Sequence, residues 1–222
     1  MRIQIYTMQT IEEAQAVVAL GVDHIGITPG NIGLPGEVDF AAARAIVDAV
    51  GNSAVRVALS VESNMDAIEA MIQAVRPDIL QLCGPEDAFP PDAVGTLRER
   101  LPKVAIMQAV SVAGPEAVDV ALAYQAVADY LILDTQTPEI VGIGASGKPH
   151  DWNISREIVK QVQIPVILAG GLSPENLAEA IRVVQPWGVD SLTHTNRSLA
   201  NGGFRKDLDR IRQFVAAARG VL

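Results

Sequence analysis

Pro165-Val-Ile-Leu-Ala-Gly-Gly-Leu-Ser-Pro-Glu-Asn176, running on into Leu177-Ala-Glu-Ala-Ile-Arg-Val-Val184, holds a strand, a turn and a helix in twenty residues. The stretch from Pro165 to Ala169 is apolar without alternation, as in strands of parallel sheets that are covered on both faces. Gly170-Gly171 ends it. Ser173 then suits an N-cap and Pro174 a first helical position, and apolar residues recur at three- and four-residue spacing as far as Val184. The same unit repeats in both directions along the chain. Strands are predicted at Ile3–Tyr6, His24–Ile27, Val55–Ser60, Ile79–Leu82, Val104–Ala109, Tyr130–Asp134, Pro165–Ala169 and Val189–Leu192. Helical periodicity lies between them at Ile11–Leu20, Phe40–Val50, Met65–Val75, Pro115–Gln125, Pro174–Val184 and Leu208–Ala218. Eight βα units in 222 residues leave little room for a second domain, and closing the sheet removes the exposed edges that an open one must protect. The expected fold is therefore α/β, a single-domain (β/α)8 TIM barrel over residues 1–222.

Composition narrows the partners. An apolar content of 49% supplies one large core, and a formal charge of −9 disfavours nucleic acid and anionic membranes. Met1-Arg2-Ile3-Gln4-Ile5-Tyr6 lacks the basic-then-apolar pattern of a secretory signal, and no apolar run reaches the length of a membrane span, so a cytoplasmic protein is expected. Cys83 is the single cysteine, and the three histidines show no metal-ligand spacing. Neither a metal nor a cofactor is indicated. Self-association as a homodimer is left open. Scattered aromatic residues give little support to a purely structural or partner-binding role.

Barrel active sites are built from the loops after the strands, which puts the long loops Thr28–Glu37 and Thr135–Pro149 on the functional face. Gly170 and Gly171 would let a phosphate approach the backbone, and in barrels a phosphate commonly sits between the loops after strands seven and eight. The expected phosphate cradle is therefore Gly170, Gly171 and the segment Thr193, His194 and Thr195. A plain tight turn would also explain the two glycines. Asp134 closes a buried strand at the barrel mouth, where an acid could transfer protons, although a loop-capping aspartate would look the same. Val141-Gly-Ile-Gly-Ala-Ser-Gly-Lys-Pro-His-Asp-Trp152 could form a lid over the site, but Pro149 after Lys148 breaks the phosphate-loop signature of nucleotide triphosphatases. His24, Trp152 and Trp187 read as packing residues.

Leu131-Ile-Leu-Asp-Thr135, Gly144-Ala-Ser-Gly-Lys-Pro-His-Asp-Trp152 and Val166-Ile-Leu-Ala-Gly-Gly-Leu-Ser-Pro-Glu-Asn-Leu-Ala-Glu-Ala-Ile181 together resemble the C-terminal half of the phosphoribosylanthranilate isomerases of tryptophan biosynthesis. Gly188-Val-Asp190 and Lys206-Asp207 continue the likeness, which returns more weakly at Asp78-Ile-Leu-Gln-Leu-Cys-Gly-Pro-Glu86. The resemblance implies an Amadori rearrangement of an aminoaldose phosphate into an aminoketose phosphate. An acid opens the sugar ring and a base removes the C2 proton. Asp134 matches the family's acid, and Gly170 and Gly171 its first phosphate loop.

The departures fall at the chemistry. Where the family carries Lys-Ile-Cys-Gly-Ile-Thr, with cysteine as base, this chain has Gln4-Ile5-Tyr6-Thr7-Met8-Gln9, and a neutral tyrosine with a pKa of about 10 is a poor base. Pro29-Gly-Asn-Ile-Gly-Leu-Pro-Gly36 lacks the usual arginine, Cys83 replaces a histidine, and Leu192-Thr193-His194 replaces Ser-Ser-Gly. Two readings follow. Either the chain is an isomerase of this type on a phosphorylated sugar derivative, with Cys83 or His194 as substitute base, or it is a diverged barrel that binds a phosphorylated ligand with another activity or none.

Overall fold

The computed structural model describes residues 1–85, 88–135, 143, 150–200 and 202–220. Eight strands, β1 (Arg2–Ile5), β2 (His24–Ile27), β3 (Val55–Ser60), β4 (Ile79–Leu82), β5 (Ala105–Ser111), β6 (Tyr130–Asp134), β7 (Val166–Leu168) and β8 (Gly188–Ser191), close in chain order into a barrel. Every neighbouring pair is parallel, including β1 with β8. The outer ring is α1 (Ile11–Ala19), α2 (Phe40–Val50), α3 (Met65–Val75), α4 (Pro91–Arg100), α5 (Ala117–Tyr124), α6 (Trp152–Gln161), α7 (Leu177–Val184) and α8 (Leu208–Gly220). This is the (β/α)8 architecture expected from the sequence. None of these helices is long and apolar enough to cross a membrane.

Local chemistry explains most element starts. Thr10, Asp39, Asn64 and Asp151 cap α1, α2, α3 and α6 by accepting hydrogen bonds from amides in the first turn. The expected start of the seventh helix at Pro174 is corrected to Leu177. Ser173–Asn176 instead forms a closed turn in which the Ser173 amide donates to Asn176 Oδ1 at 2.8 Å. The hairpin of β9 (Asn196–Ser198) and β10 (Phe204–Lys206) was not expected, because its three-residue strands carry no apolar alternation.

Alternation within each strand sorts the core into two clusters. Ile3, Ile5, Ile25, Ile27, Leu80, Leu82, Leu131, Leu133, Leu168 and Val189 face outward and join the helices in the larger cluster. Tyr6, Val57, Ile79, Cys83, Met107, Ala109, Ile132, Ile167 and Ala169 fill the barrel interior. The same parity turns Gln4, His24, Gln81, Asp134 and Asp190 inward. At the bottom, the Trp187 ring packs against His24 and Tyr130 at 5.7 and 5.5 Å between centroids.

Tyr6 takes its interior space from the neighbouring strand. A Cβ on Gly26 would lie 2.2 Å from the Tyr6 ring, so a glycine is required there. We expect Gly26→Ala to destabilise the barrel by about 1–3 kcal/mol, as overpacked cores do, and Tyr6→Cys to relieve most of that loss. Urea denaturation of the two single variants and the double variant checks this; additive losses would count against direct packing.

Candidate active site

Two adjoining cavities open at the carboxyl ends of the strands. The larger spans about 620 Å³, part of it open to solvent, and is walled by Tyr6, Leu34, Leu59, Val61, Cys83 and Leu192, with Thr7, Thr28, Gln81, Asp134 and Asp190 among its polar members. The smaller is lined by Gly170, Gly171, Leu172, Ser191, Thr193 and His194. Asp134, Asp190 and Leu192 line both. A ligand with a polar head in the smaller cavity and an apolar tail in the larger would therefore pass between two carboxyl groups.

Gly170 and Gly171 both adopt left-handed backbone conformations, with φ of 78° and 65°. A Cβ on Gly170 would also meet His150 Nδ1 at 2.8 Å and Thr135 Oγ1 at 3.0 Å. His150 joins the end of β6 to α6: Nδ1 lies 3.2 Å from Thr135 Oγ1, and Nε2 lies 2.7 Å from Ser155 Oγ. Burial lowers its pKa to about 4, so it is a neutral clamp at ordinary pH. Across the cavity, Thr193 and His194 lie in a short 3-10 turn at its rim. Thr195 is a correction. It is fully buried, its amide donates to Leu192 O and its hydroxyl to Leu192 O at 3.1 Å, so it secures the turn instead of facing a ligand.

Asp134 sits at the mouth, and Thr135 N donates to its Oδ1 at 2.7 Å. The enclosing protein raises its pKa to about 7, outweighing the opposing effect of that amide. Of the expected substitute bases, Cys83 is buried, accepts a hydrogen bond from Gln81 Nε2 at 3.0 Å, and is pushed up to about 12 by burial. Tyr6 is raised well above the ordinary tyrosine range, again by burial first and then by the charges of Cys83 and Asp190. Both side chains are neutral walls at neutral pH. His194 lines the smaller cavity and not the larger.

Asp190, Gln4, Gln81, His150 and Lys206 were given no role in the sequence reading. Asp190 is buried, and burial followed by the charge of Asp134 raises its pKa to about 8, against the lowering effects of Gln4 and Lys206. Its position in β8 was a usable signal, because an acid at an inward strand position needs a reason. Lys206, from β10, reaches Tyr6 O and donates to Asn196 Oδ1 at 2.6 Å, tying the hairpin to the end of β1. Only the tertiary fold makes that pairing visible. Among the described residues, no three His, Cys, Asp or Glu side chains gather as metal ligands would. Apart from Thr135 and Ile143, the Thr135–Pro149 loop, with its expected lid and Lys148, lies outside the described residues; Ile143 lines the larger cavity and its amide donates to Cys83 O at 2.9 Å.

The loop after β2 supplies Leu34 and Pro35 to the larger cavity. It is closed at its base by Val38 N to Thr28 O and Gly30 N to Val38 O.

Comparison with known proteins agrees with this geometry. The family described as N-(5'phosphoribosyl)anthranilate isomerase matches residues 3–217. The N-(5'-phosphoribosyl)anthranilate isomerase of Methanocella arvoryzae is 33% identical over 218 residues, covering 98% of each chain. A monomer generated from the dimeric phosphoribosylanthranilate isomerase of Thermotoga maritima superposes with a TM-score of 0.80 at 26% identity, covering 99% of this chain and 98% of that one. A phosphoribosylanthranilate isomerase in complex with reduced 1-(o-carboxyphenylamino)-1-deoxyribulose 5-phosphate gives 0.79 at 25% identity over 99% and 98% of the two chains. With the family matched over nearly the whole chain, the chain belongs to the N-(5'-phosphoribosyl)anthranilate isomerase family.

Proposed function

We propose that this chain is an aldose–ketose isomerase that carries out an Amadori rearrangement on a phosphorylated aminosugar of the phosphoribosylanthranilate type, in tryptophan biosynthesis. The observation that carries this reading is the position of Asp134 on the wall shared by the two cavities. The phosphate lies in the smaller cavity against Gly170, Gly171, Thr193 and His194, which puts the sugar beside the carboxyl and the amine substituent among the apolar walls of the larger one. In support, a relative's structure holds a phosphorylated aminoketose analogue. Asp134, protonated near neutrality, gives its proton to the ring oxygen as the C1–O bond breaks and the amine lone pair forms the C1=N bond. The apolar enclosure excludes water from the reactive Schiff base. A cytoplasmic homodimer is the state we infer, by analogy with the dimeric Thermotoga relative; light scattering at about twice the chain mass would be the expected result.

Steady-state turnover of freshly prepared N-(5'-phosphoribosyl)anthranilate tests the reading. Wild type should convert it, and Asp134→Asn should lower kcat by about 10²–10⁴-fold, the usual worth of one acid–base group. Phosphosugar binding without turnover in wild type would favour the binding-only alternative.

The retained proton has a separate consequence for stability. Folded Asp134 holds its proton to about pH 7, whereas an unfolded aspartate releases it at about 4. Its contribution is therefore complete below the unfolded value and is lost as pH rises through 7. Asp134→Asn should gain in urea midpoint relative to wild type between pH 5 and pH 8; an unchanged difference would mean that the carboxyl is already ionised at pH 5.

A further inference from the structure

If Asp134 gives a proton at the ring oxygen, a second group must take one from C2. The larger cavity is lined by four side chains that could in principle do so, Tyr6, Cys83, Asp134 and Asp190. Burial keeps the first two neutral. Strand register settles how the others stand. Leu133 pairs with Leu168, and Leu168 with Val189. The next residues, Asp134, Ala169 and Asp190, therefore form one inward row across β6, β7 and β8, with only a methyl group between the two carboxyls.

Asp190 is also not held as a structural carboxylate would be. Its Oδ1 is buried with no hydrogen-bond partner among the described residues, although buried polar atoms are almost always satisfied. Gln4, its register partner on β1, hydrogen-bonds the carboxyl, and the buried Lys206 from β10 lies near enough to favour its ionised form. Asp134 from β6 and Cys83 from β4 oppose that ionisation. Among the described residues, Tyr6 and His194, the latter lining the smaller cavity with it, are further ionisable neighbours. A carboxyl that lines both cavities opposite an acid is placed to take a proton from a ligand.

We propose that Asp190 is a catalytic residue, the base that accepts the C2 proton of the ring-opened substrate. This rests on the isomerase reading above. Once Asp134 has opened the ring, the C2–H bond breaks toward an Asp190 oxygen, its electron pair becomes the C1=C2 bond, and the C1=N electrons return to nitrogen. The resulting enolamine becomes the aminoketose when the C2 hydroxyl loses a proton and C1 gains one. No oxidant or reductant enters, because C1 is reduced as C2 is oxidised. The working form holds one proton between the two aspartates. They titrate as a pair, and the reactive arrangement has that proton on Asp134 and Asp190 ionised, which Gln4 and Lys206 favour; with both protonated no acceptor remains, and with neither protonated nothing can donate.

The test uses N-(5'-phosphoribosyl)anthranilate with hydrogen or deuterium at C2, on wild type, Asp190→Asn and Asp190→Glu. We expect a bell-shaped kcat/KM for wild type, a loss of about 10²–10⁴-fold in kcat for Asp190→Asn with KM much less affected, and partial recovery in Asp190→Glu. The deuterium effect should grow in Asp190→Glu as proton removal becomes limiting. Thermal melting of each variant identifies loss through misfolding, and the wild-type pH profile stands as evidence even if Asp190→Asn does not fold. Turnover of Asp190→Asn within about threefold of wild type, or a wild-type profile with no acid limb, would overturn the assignment and leave the isomerase reading intact. Absence of wild-type turnover would overturn both.

Discussion

A closed eight-stranded barrel admits side chains to its interior only at alternate positions, and that parity organises everything at the mouth of this protein. Several strands deliver inward residues to the mouth, and this staggered row includes Tyr6, Cys83, Asp134, Ala169 and Asp190. Because the interior volume is limited, these choices are coupled: a tyrosine on β1 requires a glycine on β2, and the alanine on β7 leaves room between two acids. A slip of one residue in any strand would turn its member of the row outward into the helices.

Burial then sets the chemistry of that row. Withdrawn from water, the same environment keeps a thiol and a phenol uncharged yet raises two carboxylic acids into the neutral range, where they can exchange protons. Below them a hydrogen-bonded chain runs through the barrel axis, from His24 Nδ1 to Gln4 Oε1, from Gln4 Nε2 to Gln81 Oε1, and from Gln81 Nε2 to Cys83 Sγ. Each amide in that chain uses both its oxygen and its nitrogen. Gln4 is thus oriented with its nitrogen toward Asp190.

Loops are held to this frame by a few buried polar clamps. His150 bridges Thr135 and Ser155 under Gly170, so the double-glycine turn and the amide that supports Asp134 share one anchor. On the other side Glu13 accepts from the amides of Gln9 and Lys206, while the Lys206 ammonium reaches the Tyr6 carbonyl. The late hairpin is thereby fixed to the end of the first strand.

The barrel could be read from the chain alone, because strand and helix periodicities are local and recur eight times. That Gly170, Gly171 and Asp134 stand at the barrel mouth was legible for the same reason: each punctuates a strand end. Residues whose meaning depends on a distant partner were not. Asp190 and Lys206 carried no role until register set the first beside Ala169 and Asp134 and the hairpin buried the second against the end of β1. Thr195 was misjudged because a one-dimensional reading cannot see whether a hydroxyl faces a cavity or its own turn. Periodicity determines which elements form. Which ionisable groups meet, and how much water they lose in meeting, is decided only when the strands close, since both depend on contacts between residues far apart in the chain.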